Sequence, residues 1–386
     1  MVSRTDRSRF AEWWWTIDKF LLIALLALVF GGVVLSFAAS PSVADRIGAP
    51  TYHFVQRQAA FAIPAIAVMI GVSMLSPRQV RKTAFILYGV MLLLTIATLF
   101  FGTEIKGSRR WLNLIGMSIQ PTEFLKPAFV ILIAYMLDEV GSRRFEIPGK
   151  PVAAFILVMT LAPVVAQPDL GQAMLLSIVW CSLFFLAGLP WLWTVMLAGL
   201  GATGLAGAYV VFPHVAGRIN RFLDPAGKDT FQVDTALDAF QAGGWLGVGP
   251  GEGTVKQILP DAHTDFVFAV TAEEFGLIVC MGLVAVFAFV VLRSLSHARD
   301  EPDGFVRLAA SGLAILFGVQ ACINIAVNLH LMPAKGMTLP FISYGGSSLV
   351  AIGLEMGFLL ALTRRRPRID AALRSPVFLT RRENAA

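Results

Sequence analysis

Long apolar segments alternate with short polar ones along most of the chain. Each is close to the length of about 20 residues with which an α-helix crosses a hydrocarbon layer roughly 30 Å thick. The ten segments are Ile17–Ala39, Phe54–Leu75, Thr83–Phe101, Thr122–Leu137, Val152–Ala166, Leu170–Leu186, Trp191–Phe212, Phe266–Leu292, Phe305–Leu329 and Ser348–Leu362. The fourth, fifth and sixth are short and contain Pro or Gly. The pattern predicts an all-α, polytopic membrane protein with about ten transmembrane helices.

Composition supports the membrane class. Of the 386 residues, 56% are hydrophobic and 15% are charged, and the mean hydropathy is +0.72. A globular domain carries roughly 25% charged residues, so a soluble protein is excluded. The first segment ends in "SFAAS" (Ser36–Ser40), which is similar to a signal-peptide cleavage site. Because the segment is too long for a signal peptide and more segments follow, we expect it to remain as a helix.

Basic residues predict the orientation. With the N-terminus inside, about 20 of the 31 Lys and Arg residues fall in inner segments, which places both termini in the cytoplasm. The net charge of +6 then reflects an inner face beside anionic lipid, and no nucleic acid is expected as a partner. We expect a cytoplasmic N-terminal segment (1–16), a membrane domain (17–366) and a cytoplasmic tail (367–386). The membrane domain has one large outer loop, about residues 213–265, between the seventh and eighth helices.

Two common kinds of site are not expected. Cys181, Cys280 and Cys322 each lie in an apolar segment, and their odd number and spacing fit neither a disulfide framework nor a zinc site. The glycine-rich stretch "GGWLGVGPGEGTVK" (Gly243–Lys256) lacks the Gly-Lys-Ser/Thr of a phosphate-binding loop and follows no strand. We therefore expect turns in this stretch rather than a nucleotide site.

Polar helix starts carry the candidate chemistry. Even-numbered helices begin on the outer side with "SIQPTEFLK" (Ser118–Lys126), "AQPDLGQ" (Ala166–Gln172), "DAHTDF" (Asp261–Phe266) and "PFISYGGSS" (Pro340–Ser348). Pro121 and Pro168 fit the first helical position, which puts Glu123 and Asp169 in the first turn. Each start alone is typical of capping. Four together on one face indicate a binding site for a phosphate or diphosphate, which helix N-termini favour.

Cations on the same side support an anionic ligand. Lys106, Arg109 and Arg110 precede the fourth helix, against the positive-inside trend, and Arg57 lies in the second helix near the outer boundary. Guanidinium groups suit diphosphate oxygens because they donate paired hydrogen bonds. Lys126 follows Glu123 by three residues and shares its helix face, so the two are predicted to pair inside the protein.

Three carboxylates lie near the start of the eighth helix. Asp265 begins the helix and is the candidate acid or base. Glu273 and Glu274 follow about 12 Å deeper along the helix. Because successive helical residues point in different directions, we expect these two glutamates to have separate partners and a structural role.

Four stretches together resemble the SEDS (shape, elongation, division and sporulation) family of peptidoglycan polymerases. They are "KGSRRWLNLIGMSIQPTEFLK", "QPDLGQ", "GGWLGVGPGEGTVKQILPDAHTDFVFAVTAEEFG" and "LMPAKGMTLPFISYGGSS". The resemblance runs from about Ile17 to Arg366. The stretch "HFVQRQ" (His53–Gln58) is more similar to division-type than to elongation-type members, and "WWWTIDKF" (Trp13–Phe20) is similar to alphaproteobacterial forms. One departure is "GPGEGT" (Gly249–Thr254), where division-type members often have "GLGNS".

The resemblance implies a glycosyltransferase that polymerises lipid II, an undecaprenyl-diphosphate disaccharide-pentapeptide, at the outer face of the bacterial inner membrane. It makes Asp265 the catalytic residue and matches Glu123 and Lys126 to a polar pair in the family's central cavity. Expected partners are membrane lipid, a cognate class B penicillin-binding transpeptidase and other cell-division proteins. No cofactor is expected; a divalent cation, if used, would be held by substrate oxygens. The full set of substrate-binding candidates is Glu123, Lys126, Arg57, Lys106, Arg109, Arg110, His263, Thr264, Ser343 and Ser347.

Two alternatives stay open. A lipid II flippase would need polar groups through the depth of the bilayer, whereas the unusual residues here gather on the outer side. A non-enzymatic scaffold for the transpeptidase would explain the long outer loop but not the carboxylates.

Overall fold

A computed structural model describes residues 8–105, 108–114, 117–138, 148–188, 190–211, 216–217, 220, 231–333 and 336–365. The protein is a bundle of helices. They are α1 (Arg9–Thr16), α2 (Lys19–Arg46), α3 (His53–Ser73), α4 (Pro77–Phe101), α5 (Pro121–Leu137), α6 (Gly149–Ala166), α7 (Leu170–Leu186), α8 (Trp191–Val211), α9 (Phe231–Gly243), α10 (Val267–Arg299), α11 (Gly304–Asn328) and α12 (Gly346–Leu362).

Every predicted apolar segment coincides with one of these helices, from α2 to α8 and from α10 to α12. Six helices, α2, α3, α4, α6, α10 and α11, are long and apolar enough to cross a membrane, and α7 and α12 are shorter apolar helices. The mostly helical, multi-pass membrane fold is therefore confirmed. The number of ten crossings and the position of the large loop stay predictions.

Helix α5 lies at the centre of the bundle. Nearly all of its residues are buried, and it packs against α4, α6, α7, α11 and α12. Pro121 occupies its first position, as predicted, where the missing N–H costs nothing. Because α5 has no lipid-facing side, its polar residues Glu123 and Lys126 lie inside the protein.

The first and last helices of the described chain meet at the end of the bundle where α3 and α12 finish. The Trp13 indole is buried and donates to Ser73 Oγ at 2.7 Å, at the end of α3. The Arg364 side chain, just after α12, donates to Thr16 Oγ1 at 2.9 Å. Trp13 and its neighbours thus form a separate helix, α1, packed on the bundle rather than an extension of α2. This arrangement puts the starts and ends of the described chain on the same side.

A small sheet departs from the all-α prediction. Strands β1 (Thr103–Ile105), β2 (Ser108–Leu114) and β3 (Met117–Ile119) form an antiparallel sheet in the order β1-β2-β3, between α4 and α5. No strand was predicted in this stretch, which was described only as preceding the fourth helix. The sheet fixes which way Arg109 and Arg110 point.

Helix α10 is broken, which the sequence analysis did not predict. Gly276 has φ +80° and ψ 174°, outside the helical region. The Cys280 thiol lies 3.8 Å from the Phe268 carbonyl oxygen, although 12 residues of straight helix would separate them by about 18 Å. The segment predicted as one helix is therefore two helical pieces that fold back on each other at Gly276.

Candidate active site

The starts of α5, α7 and α12 meet around one carboxylate, that of Glu123. Gln172 in α7 donates to its Oε1 at 2.8 Å, and Ser348 in α12 donates to its Oε2 at 3.4 Å. The hydroxyl of Ser347 accepts from the Gln120 N–H at 3.4 Å, which joins the starts of α12 and α5. The structure thus brings three of the four predicted helix starts into direct contact.

The Lys126 ammonium completes this polar cluster. It lies 3.0 Å from Glu123 Oε2 and donates to Gln320 Oε1, on α11, at 2.8 Å. Its side chain is almost fully buried, where an unpaired charge would cost several kcal/mol. We call Glu123, Lys126, Gln172, Gln320 and Ser348 the Lys126 network. The predicted pair is formed, and it faces the protein interior rather than lipid.

Arg110 binds the two residues that precede α7. Its guanidinium lies 3.2 Å from Asp169 Oδ2 and donates to the Pro168 carbonyl oxygen at 2.9 Å. Burial raises the pKa of the Asp169 carboxyl, and the charge of Arg110 opposes that rise. Asp169 is the N-cap of α7, accepting from the Gln172 N–H at 3.3 Å. The predicted positions of Pro168 and Asp169 inside the helix are therefore wrong by a short shift, because the cap comes before the first turn.

The predicted cation cluster is not a single unit. Arg109 is exposed and pairs with Glu104 of β1 at 3.4 Å, whereas Arg110 turns towards Asp169. Neighbouring residues of a strand point to opposite faces of the sheet, and Arg109 and Arg110 are neighbours in β2. Arg57 is exposed on α3, and Lys106 lies outside the described residues.

Asp265 lies in a turn that precedes α10 and is partly buried. Two amides of α11 hold its backbone, since Asn324 and Asn328 donate to its carbonyl oxygen at 3.0 Å and 2.9 Å. Gly336, with φ +64°, passes close to its side chain: a Cβ there would lie 3.7 Å from Asp265 Oδ2. The prediction that Asp265 begins the helix is wrong, because the N-cap position belongs to Phe266.

Aromatic packing ties this turn to the start of α12. The His263 ring lies 4.3 Å from the Phe54 ring and 5.4 Å from the Tyr344 ring, centroid to centroid. The Tyr344 N–H also donates to the His263 carbonyl oxygen at 2.9 Å. Thr264 donates to the Asp261 carbonyl oxygen at 3.2 Å, and Ser343 Oγ accepts from the Leu339 N–H at 2.8 Å. These contacts hold the turn that contains Asp265 against the turn that precedes α12.

A row of amides on α11, which was not predicted from the sequence, connects the two parts of the candidate site. Gln320 belongs to the Lys126 network, while Asn324 and Asn328 hold Asp265. All three are buried and are spaced four residues apart, so they share one helix face. Three amides at four-residue spacing in an apolar helix were the sequence signal that could have predicted this polar face.

Glu273 and Glu274 both bind the segment around Lys256. Glu273 accepts from the N–H groups of Val255 and Lys256 at 2.7 Å and 2.9 Å. Glu274 pairs with the Lys256 ammonium, which also donates to the Ala38 carbonyl oxygen at 3.2 Å. We call Lys256, Glu273 and Glu274 the Lys256 brace. The prediction of separate partners is wrong because one carboxylate takes the backbone and the other takes the side chain of the same residue.

Comparison with known proteins gives a consistent assignment. The family model of FtsW/RodA/SpoVE cell cycle proteins matches residues 18–367. A Caulobacter vibrioides protein named "Probable peptidoglycan glycosyltransferase FtsW" is 46% identical over 366 residues, or 95% of this chain and 94% of its own length. A protein of the same name from Trichlorobacter lovleyi is 35% identical over 358 residues, with 90% and 93% coverage.

Solved structures show the same architecture. A chain from a peptidoglycan synthase complex that coordinates polymerization and crosslinking aligns with a TM-score of 0.74 at 29% identity, covering 90% of this chain and 97% of its own. The crystal structure of the Thermus thermophilus rod shape determining protein RodA aligns with a TM-score of 0.68 at 28% identity, covering 92% and 99%.

Proposed function

Because the chain belongs to the FtsW/RodA/SpoVE family of cell cycle proteins, we propose that it is a peptidoglycan glycosyltransferase of the division type. Its substrate is lipid II, which it polymerises into glycan strands for septal wall synthesis. The names of the Caulobacter and Trichlorobacter relatives support this activity. Both relatives carry the name FtsW, which denotes the division type that the sequence resemblance favoured over the elongation type.

Asp265 is our candidate for the base. The 4-hydroxyl of the incoming lipid II sugar attacks the anomeric carbon of the growing glycan. A new C–O bond forms, the bond to the lipid diphosphate breaks with its electron pair, and the hydroxyl proton passes to Asp265. The observation that carries this role is the clamp of Asn324 and Asn328 on the Asp265 carbonyl oxygen. A base positioned by rigid neighbours transfers protons efficiently.

The Lys126 network supplies the electrostatics of the same site. Glu123, Lys126 and the amides around them lie beside three helix starts, whose N–H groups favour anions. We assign Arg110 to holding Asp169 at the start of α7. Lys106 and Arg109 remain our candidates for the diphosphate, with a divalent cation as a further possible counter-charge held by the substrate.

Topology and partners follow the same assignment. We place the protein in the bacterial inner membrane, with a membrane domain over residues 17–366, cytoplasmic ends and the large loop in the periplasm. The structural neighbour from a synthase complex that couples polymerization to crosslinking supports a class B transpeptidase as partner.

Substitution of Asp265 by Asn tests the function. Purified protein with its transpeptidase is given labelled lipid II, and glycan products are resolved by gel electrophoresis. Asp265→Asn cannot accept the proton, so polymerisation should fall by about 100- to 10,000-fold, the usual range of a general base, while lipid II still binds.

Asp261→Asn is the matched control. Asp261 lies in the same turn with φ +53°, which Asn tolerates, so this variant should keep nearly normal activity. Normal glycan synthesis by a well-folded Asp265→Asn protein would remove Asp265 from the mechanism.

A further inference from the structure

The segment that follows α9 presents large apolar side chains at the protein surface. Trp245 is 66% exposed and Leu246 is 79% exposed. Residues Gly243–Gly251, "GGWLGVGPG", contain no charged residue, and the first charge after them is Glu252. Such a concentration of exposed apolar area marks a contact surface on a folded protein.

Backbone groups of this segment are paired with the break in α10. The N–H groups of Val248 and Gly249 donate to the carbonyl oxygens of Glu273 and Glu274 at 2.9 Å and 3.1 Å. In return, the N–H of Leu277 donates to Gly244 at 3.0 Å and that of Ile278 to Trp245 at 3.3 Å. The segment thus supplies the hydrogen bonds that the broken helix lacks.

This pairing meets the requirement that a non-helical segment in a membrane has hydrogen-bond partners for its backbone N–H and C=O groups. An unsatisfied backbone group costs several kcal/mol in hydrocarbon, so irregular backbone is tolerated there only where protein groups satisfy it. Two glycines allow the close approach: a Cβ at Gly247 or Gly276 would overlap the carbonyl oxygen of Glu274 or Trp245. The polar backbone faces α10, and the apolar side chains face away from it.

The exposed surface continues onto α10. The bond from Ile278 to Trp245 places these residues side by side, and Ile278 and Met281 are 52% and 53% exposed. In a multi-pass membrane protein, exposed apolar residues of a spanning helix face acyl chains. Trp245 and Leu246 extend that lipid-facing surface, and Trp is enriched at the interface of membrane and water.

We propose that residues 244–249 insert into the bilayer as an anchor whose Trp245 and Leu246 side chains contact lipid acyl chains. The chain continues from the anchor to Lys256, which the Lys256 brace fixes to α10. The turn that contains Asp265 follows Lys256 by a few residues. The anchor therefore holds the end of the large loop at the membrane surface. The proposal concerns a contact with lipid and does not depend on the enzymatic activity.

Nitroxide accessibility in nanodiscs tests the anchor. A single cysteine at Leu246 is labelled in full-length protein whose Cys181, Cys280 and Cys322 are replaced by Ala. Collision rates are measured with oxygen, which concentrates in lipid, and with water-soluble nickel-EDDA. Because Leu246 is highly exposed, its replacement removes little packing. Met281→Cys on α10 is the lipid control, and Glu252→Cys is the water control.

The label at position 246 should match that at 281, with high oxygen and low nickel-EDDA collision rates, and should differ clearly from the label at 252. Nickel-EDDA collisions as frequent as at 252 would overturn the proposal, since the segment would then face water. Low collision rates with both reagents would also overturn it, because protein rather than lipid would cover the segment. Gel filtration of each labelled protein confirms that it is folded.

Discussion

Lys126 and Lys256 are both buried, and each pairs with a glutamate of a helix. The remaining partners differ. In the Lys126 network they are side chains from α7, α11 and α12, whereas in the Lys256 brace they include the backbone of Ala38, Val255 and Lys256 itself. An ion pair among side chains can change without moving the chain. An ion pair that holds backbone groups cannot, so we propose a structural role for the brace and a catalytic role for the network.

Double substitutions should show the largest difference in activity between the Lys126 network and the Lys256 brace. Glu123→Gln with Lys126→Met removes both charges, and so does Glu274→Gln with Lys256→Met. Replacing a buried pair by neutral residues of similar volume avoids an uncompensated charge, so both proteins should fold. We expect the network variant to lose polymerisation by at least about 100-fold, the scale of one lost electrostatic contribution in an active site.

The brace variant should keep nearly normal activity per folded molecule in the same glycan assay. Comparable losses in both double variants would show that the brace is part of the chemistry and would end the distinction.

Removing one partner of the brace should mainly cost stability. Lys256→Met leaves the Glu274 carboxylate buried without its cation, which typically destabilises by about 3–5 kcal/mol. Thermal unfolding in detergent measures the loss, and adding Glu274→Gln should recover much of it. A single variant as stable as the parent protein would contradict the assignment of Lys256 as a brace.

Glycine substitutions separate close packing from backbone strain in the segment beside α10. Gly247 and Gly251 have φ values of +81° and +87°. Among the described residues, a Cβ would meet a neighbour within 4 Å at Gly247 but not at Gly251. Each change to Ala should cost about 1–3 kcal/mol of strain. Gly247→Ala should cost more because its Cβ overlaps the Glu274 carbonyl oxygen. Equal shifts in unfolding temperature would count against the close contact.

Glu355 should give the smallest effect. It is buried in α12, and its Oε1 has no hydrogen-bond partner within the part of the chain that the structure describes. Because the described residues give that oxygen no hydrogen bond to lose, Glu355→Gln should change stability by no more than about 1 kcal/mol. It should also leave activity nearly unchanged, unlike the double substitution in the network. A large activity loss would make Glu355 part of the network.

Helix positions were predictable because length and apolarity determine them directly. All ten predicted segments coincide with helices, and the sixth begins at Leu170 as predicted. The errors concern Asp169 and Asp265, which were placed in or at the start of a helix but lie just before one. The break in α10 was not predictable from local pattern. Gly276 is an ordinary residue for a membrane helix, and the segment that pairs with it lies about 30 residues earlier in the chain.

The buried ion pair of the candidate site was predictable because the charges of Glu123 and Lys126 stand alone in an apolar context. Their partners Gln172 and Gln320 were not, because uncharged amides give little contrast in composition. The prediction that Arg109 and Arg110 act together was wrong for a geometric reason. Successive side chains of a strand point to opposite faces of the sheet, so two residues adjacent in sequence have different partners.

Reciprocal bonding across Gly276 makes two distant stretches a single cooperative unit. The N–H groups of Val248 and Gly249 are protected by α10, and those of Leu277 and Ile278 are protected by the segment after α9. Neither side can open without exposing the other, so hydrogen exchange should give all four amides one common free energy of opening. The segment after α9 is therefore as stable as the helix that it pairs with, and the two should unfold together.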